Sequence, residues 1–294
     1  MFSNCLKKNT IKTEMIEDGQ QNLARTKYLI VIRHGERLDD QHDRDPNVLS
    51  PEDYFDTTLT QLGKENSQKT GYQLMNLLNT LDIMKGKPNK IRFMSSVFYR
   101  CLQTTDCLRD GMKQYIEEHQ TEFDNPEAVR KAVLQRKTHV EEACSEKLKM
   151  LPVKYTNNIR IHVNAKKVLD EFPQIKPVYR SLYDYDKDHK HLSVNRVFER
   201  NQHIYEVVSH FYEDVIKRLK HDSTHDVYVV IAHGMYIELF LWHLGRKKTD
   251  KLDYNSTVAV KFDFSQKQKT SENVPPHKVL INTTPLHKMN LKKK

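Results

Sequence analysis

Two short runs, Tyr28–Ile32 and Val227–Ala232, constrain this chain most: each is continuously apolar and stops abruptly at a histidine followed by a glycine, directly or after one arginine. A strand with one wet face alternates apolar and polar residues. An unbroken run rich in β-branched residues fits a strand covered on both faces, the habit of parallel sheets. Further strands are expected at Ile91–Ser95, Ile159–Val163, Thr257–Phe264 and Val279–Ile281. Between them the spacing is helical. Thr60 is placed to cap a helix reaching about Leu81, and another helix starts near Val97. A long amphipathic helix covers Val194–Leu219, and Met235–Leu244 precedes a stop at Gly245. Strands alternating with helices predict an α/β fold, a three-layer α/β/α sandwich on a mostly parallel central sheet with right-handed crossovers.

Residues 1–25 are polar and aperiodic and read as a flexible arm. One domain is expected over 26–288, with a charged helical insertion around 112–157 that breaks near Asn125-Pro126, followed by a basic tail at 289–294. The formal net charge of +9 draws anions toward the surface. Nucleic acid, anionic lipid and phosphorylated substrates all suit that sign, so charge alone selects none of them. The four cysteines lack C-x-x-C spacing, and no zinc site is expected. The first twenty residues contain no apolar signal core, and no run approaches the ~20 apolar residues of a membrane span. The expectation is a soluble cytoplasmic protein with reduced thiols and no cofactor. The string Asp39-Asp-Gln-His-Asp43 reads as a solvated loop rather than a metal site, and His162 as structural.

The two histidines, His34 and His233, stand at the ends of the two buried strands. In open α/β sheets, sites form at the carboxyl ends of strands, so both imidazoles can enter one crevice. Gly35 and Gly234 are expected to allow a sharp turn and expose backbone N–H groups there. The helix opening after Gly234 adds its positive end. Arg33 precedes His34, and Arg100 lies just past the second strand. Guanidinium forks match phosphate oxygens two at a time. Two guanidiniums and two imidazoles at one sheet edge therefore call for a dianion and phosphoryl chemistry.

These same residues carry a resemblance. Val31-Ile-Arg-His-Gly-Glu36 resembles the signature of the histidine phosphatase superfamily, the phosphoglycerate-mutase-like fold. Leu59-Thr-Gln-Leu-Gly63 is similar to the element that opens that family's first long helix. Ser95-Ser-Val-Phe-Tyr-Arg-Cys-Leu-Gln-Thr104 resembles its S-x-x-x-R-x-x-Q-T stretch, and Val229-Val-Ile-Ala-His-Gly234 its second histidine strand. Asn255-Ser-Thr-Val258 and Asn282–His287 also look like family elements. The resemblance runs in consistent order from about Tyr28 to His287.

It implies His34 as nucleophile, with Arg33, Arg100 and His233 on the phosphoryl oxygens and Arg37, beside Glu36, at the rim. The family's L-x-E acid pattern is matched by Leu169-Asp-Glu171, which implies Glu171 as general acid and base, with Asp170 the fallback. It also implies a phosphomonoesterase. The RHGER string resembles the phosphatase domains of T-cell-receptor-signalling suppressors and ecdysteroid-phosphate phosphatases, which brings in phosphotyrosine as one substrate beside phosphorylated small molecules. A phosphoglycerate mutase would need an S-x-W-N string and an E-R-x-Y-G loop; this chain has Arg37-Leu-Asp-Asp40 and Glu171-Phe-Pro-Gln174 instead. A sugar-bisphosphate phosphatase, or an inactive relative that binds phosphate as an interaction module, would carry the same four residues. The pattern implies no particular oligomeric state.

Overall fold

The computed structural model describes residues 26–38, 57–84, 91–96, 98–134, 138–141, 178–180, 201–246, 252–265 and 274–289. In chain order the elements are β1 (Thr26–Arg33), α1 (Gln61–Thr80), β2 (Ile91–Ser95), α2 (Tyr99–Glu118), α3 (Pro126–Leu134), β3 (His139–Glu141) and β4 (Val178–Arg180). Then follow α4 (Asn201–His221), β5 (Val227–Ala232), α5 (Gly234–His243), β6 (Ser256–Asp263) and β7 (His277–Pro285).

One seven-stranded sheet runs in the order β4-β3-β2-β5-β1-β6-β7. Every pairing from β4 to β1 is parallel, while β6 and β7 add antiparallel strands at one edge. The apolar runs are buried on both faces, as their composition requires. Leu29 and Val31 pack with α4 and α5 through Val208, Phe211, Val215, Ile237 and Phe240. Ile30 and Ile32 face the other way, onto Leu74 and Leu78 of α1 and Leu108 and Met112 of α2. The period of two thus survives across an apolar run with no polar residue to reveal it. The result is the expected α/β/α sandwich.

Helices α1 and α2 press together at two glycines. A Cβ on Gly71 would lie 2.0 Å from the Leu108 carbonyl oxygen, and one on Gly111 would lie 1.8 Å from that of Gln68. Thr60 caps α1 as expected, its hydroxyl accepting from the Gly63 N–H at 2.8 Å. Helix α5 ends before Gly245, which takes φ +71°. At the amino end of β1, Lys27 is 1% exposed and its Nζ is held by the Asp222 and His225 carbonyls and by Asp226.

Within the 112–157 stretch, α2 continues to Glu118 with Met112, Tyr115 and Ile116 buried. Helix α3 seats Val129, Ala132 and Val133, and β3 joins the sheet beside β2. A narrow apolar stripe among many charges is enough to dock a helix. The break at Asn125-Pro126 is real, with the Asn125 side chain accepting from the Ala128 N–H at 2.9 Å. The last strand is also longer than Val279–Ile281. The expected arm at 1–25, the strand at Ile159–Val163, the Asp39–Asp43 loop, His162 and the start of the Val194–Leu219 helix lie outside the described residues.

Candidate active site

Strands β2, β5 and β1 are neighbours and parallel, so their carboxyl ends share one edge at the middle of the sheet. His34 leaves β1 there, its N–H bonded to the Ala232 carbonyl at 3.0 Å. His233 leaves β5 and stands at the N-cap position of α5, with no side-chain capping bond. Arg100 sits in the first turn of α2, just past β2. The sequence-separated residues therefore meet: the His34 and His233 ring centroids are 5.2 Å apart, and Arg100 Nη2 lies 3.4 Å from His233 Nδ1.

The neighbours of each imidazole fix its tautomer. His34 Nδ1 is 2.8 Å from the Gly35 carbonyl oxygen. A carbonyl only accepts, so Nδ1 carries the proton and Nε2 keeps its lone pair. His233 Nε2 meets the Ser96 hydroxyl at 2.9 Å. Its Nδ1 faces a guanidinium, which only donates, so the proton resides on Nε2. Both rings are buried, at 2% and 0% exposure. Burial, then the guanidiniums of Arg100 and Arg33, hold the pKa of His34 well below the usual imidazole range. For His233 the causes are burial, then Arg100 and His34. Both are neutral near pH 7, and desolvation is the main reason.

The positive charge comes from the arginines. Arg100 is 3% exposed and its Cζ stacks 4.3 Å above the Phe98 ring. Arg33 donates through Nη1 to the Leu252 carbonyl. Arg37 bridges backbone-to-backbone with Leu59 and is near enough to depress both imidazoles. Glu36 accepts from the Thr60 hydroxyl at 3.0 Å, so Thr60 does more than cap α1: it ties the loop after His34 to that helix. Glu171 and Asp170 lie outside the described residues. Among the described residues, no group of three or more His, Cys, Asp or Glu side chains is placed to hold a metal ion.

The glycines work differently from expectation. Neither Gly35 nor Gly234 has positive φ. Gly35 is required by closeness: a Cβ there would lie 2.6 Å from Ser67 Oγ and 2.8 Å from the Gly63 carbonyl oxygen. Its N–H donates to Thr104 Oγ1 at 3.0 Å. Sequence reasoning assigned no role to Ser96, Thr104, Tyr254 or Asn255, all of which contact site residues. Ser96 and Thr104 lie inside the S-x-x-x-R-x-x-Q-T stretch, a usable signal; Tyr254 has none.

Two neutral imidazoles beside the guanidiniums of Arg33, Arg37 and Arg100 leave this cluster net positive, an electrostatic setting that suits an anion. A dianion bound here would reverse the electrostatic sign at His233, which would then gain a proton and donate from Nδ1. Sulfate, dianionic throughout, is expected to bind with uptake of about one proton, its affinity rising about tenfold per pH unit as pH falls through neutrality. Calorimetry in two buffers of different ionisation enthalpy checks this. Binding without proton uptake and independent of pH would contradict it.

No protein-family model and no curated protein matches the chain in sequence. Solved structures do match in fold. An ecdysone phosphate phosphatase from Bombix mori, in complex with tungstate, is 15% identical with a TM-score of 0.50, over 85% of this chain and 94% of that one. A phosphoglycerate mutase from Bacillus anthracis is 12% identical with a TM-score of 0.49, over 90% and 96%. A phosphoserine phosphatase from Entamoeba histolytica, in complex with 3-phosphoglyceric acid, is 16% identical with a TM-score of 0.42, over 88% and 98%. With the strand order already established, this chain shares the fold of the ecdysone phosphate phosphatase, the phosphoglycerate-mutase-like fold.

Proposed function

We propose that the chain is a phosphomonoesterase that transfers the phosphoryl group through a phosphohistidine on His34. The observation that carries this reading is the state of His34. It is neutral, its Nδ1–H donates to the Gly35 carbonyl, and the guanidiniums of Arg100, Arg33 and Arg37 are near enough to act on the ring. A neutral imidazole held this way is a nucleophile. The ecdysone phosphate phosphatase of the same fold was solved in complex with tungstate, a phosphate mimic, which supports an oxyanion as the ligand.

In the first step His34 Nε2 bonds to phosphorus while the ester P–O bond breaks. Charge on the equatorial oxygens is met by Arg33, Arg100 and protonated His233, with Arg37 at the rim. The leaving oxygen takes a proton from Glu171. In the second step the Glu171 carboxylate takes a proton from water as the water oxygen bonds to phosphorus and the P–N bond breaks. Atoms and charge balance without a further reactant.

Purified protein is expected to hydrolyse p-nitrophenyl phosphate, and Glu171→Gln separates the two steps. A phenolate needs little help to leave, so with p-nitrophenyl phosphate the loss is small where transfer to His34 limits the rate. With an alkyl phosphate the loss is about 10²-fold or more. Where hydrolysis of the intermediate limits instead, the variant accumulates phosphohistidine. Asp170→Asn, the control, does much less. Small equal losses on both esters, with nothing trapped, would place the acid elsewhere. Absence of turnover across a phosphoester panel would favour a binding module over an enzyme.

A further inference from the structure

On the side of β1 away from β5 lies β6, which runs antiparallel to it, with Ile32 opposite Thr257. The residues that precede β6 are therefore delivered to the same sheet edge as His34. This turn, Leu252–Asn255, reaches the site at three points. The Leu252 carbonyl accepts from Arg33 Nη1. The Tyr254 ring lies under the Arg33 guanidinium, 4.3 Å from Cζ to the ring centroid. Asn255 turns the chain at φ +57°, directs its N–H to the His34 carbonyl at 3.4 Å, and sets its amide oxygen 3.2 Å from the Ser67 hydroxyl.

We infer that Tyr254 is a positioning residue for Arg33, fixing the plane of its guanidinium for the phosphoryl oxygens; this rests on the reading of Arg33 as a phosphate ligand. Arg33 is the less enclosed of the two principal arginines: it is half-buried, whereas Arg100 is buried. An arginine side chain has several free torsions, and its fork helps an anion only when its plane is already set. Phe98 supplies that plane for Arg100 at 4.3 Å. Tyr254 supplies it for Arg33 at the same distance. On its other flank Arg33 passes the start of α5, where a Cβ on Gly234 would lie 3.4 Å from Nε and 3.7 Å from Cζ. The guanidinium is thus bounded by a glycine, an aromatic face and a carbonyl. The turn itself is anchored, with Asp253 accepting from Lys288 at 2.7 Å. Tyr254 also lies beside the nucleophile, its ring centroid 5.8 Å from that of His34.

Sulfate affinity in a double-mutant cycle tests the inference. Tyr254→Leu is expected to weaken sulfate about tenfold, the scale of a well-placed cation–π contact. Tyr254→Phe keeps the aromatic face and recovers most of that loss. Arg33→Lys keeps the charge without the fork and weakens sulfate by itself. In the Arg33→Lys background, Tyr254→Leu adds little, because the group it positions is gone. Additive losses would show that Tyr254 acts on the site by some other route and would overturn the inference. So would a Phe variant as weak as the Leu variant. Unchanged sulfate affinity in Arg33→Lys would instead remove Arg33 as a phosphate ligand, and the inference with it.

Discussion

His34→Ala is expected to lower turnover on the order of 10⁴-fold or more, the scale on which loss of a nucleophile acts, while the protein stays folded. The ring lies at the end of β1 rather than within it, and Gly35 and the backbone around it are held independently by Thr104 and by the Ala232 carbonyl. The folded state gains in one respect. A histidine whose folded pKa is lowered contributes stability that is complete above the unfolded value of about 6.5 and is lost as pH falls below it. His34 and His233 both belong to this class. Wild-type protein should therefore lose melting temperature steeply below about pH 6.5, and His34→Ala less steeply, with one buried imidazole fewer to charge. Activity within about tenfold of wild type would exclude His34 as the nucleophile. An acid limb unchanged in the variant would contradict its buried, neutral state.

Arg100→Ala should cost about 10²- to 10³-fold in kcat/KM, the usual loss when a preorganised donor to developing charge is removed. Its 3% exposure means the charge acts in a site with little water to screen it. It also sets the state of His233, whose Nδ1 lies 3.4 Å away and whose pKa it depresses. The loss should thus fall on sulfate affinity as well as on rate, and Arg100→Lys should restore only part of each because an ammonium has no fork. A loss of less than about threefold in Arg100→Ala would remove this residue from the phosphate site.

The parts of the fold carried by dense local signals were legible in the sequence. Tyr28–Ile32 and Val227–Ala232 are too apolar to be anything but covered strands, and both end where the site begins. Thr60 and Gly245 marked helix ends because a cap and a left-handed residue are demands of single positions. The packing of the 112–134 stretch was hard to read because Met112, Tyr115, Val129 and Val133 are few among many charges, and helix docking needs only such a stripe. β3 and β4 are three residues each, too short for a period to show. In the site, Arg33, His34, Arg100 and His233 stood out because histidine and arginine at strand ends are chemically conspicuous. Ser96 stood within a recognisable stretch, whereas Tyr254 is an ordinary residue brought to Arg33 by the antiparallel return of β6, which no local pattern encodes.

The central claim is a covalent phosphate on His34, and trapping it is the most direct test. A radiolabelled phosphoester, mixed with wild-type protein and quenched in alkali during turnover, should leave label that survives base and is lost in acid. After digestion the label should map to the peptide containing His34, disappear on a chase with unlabelled substrate, and be absent from His34→Ala. Label on His233, or label that survives acid as a hydroxyl ester would, while the enzyme turns over, would contradict the account.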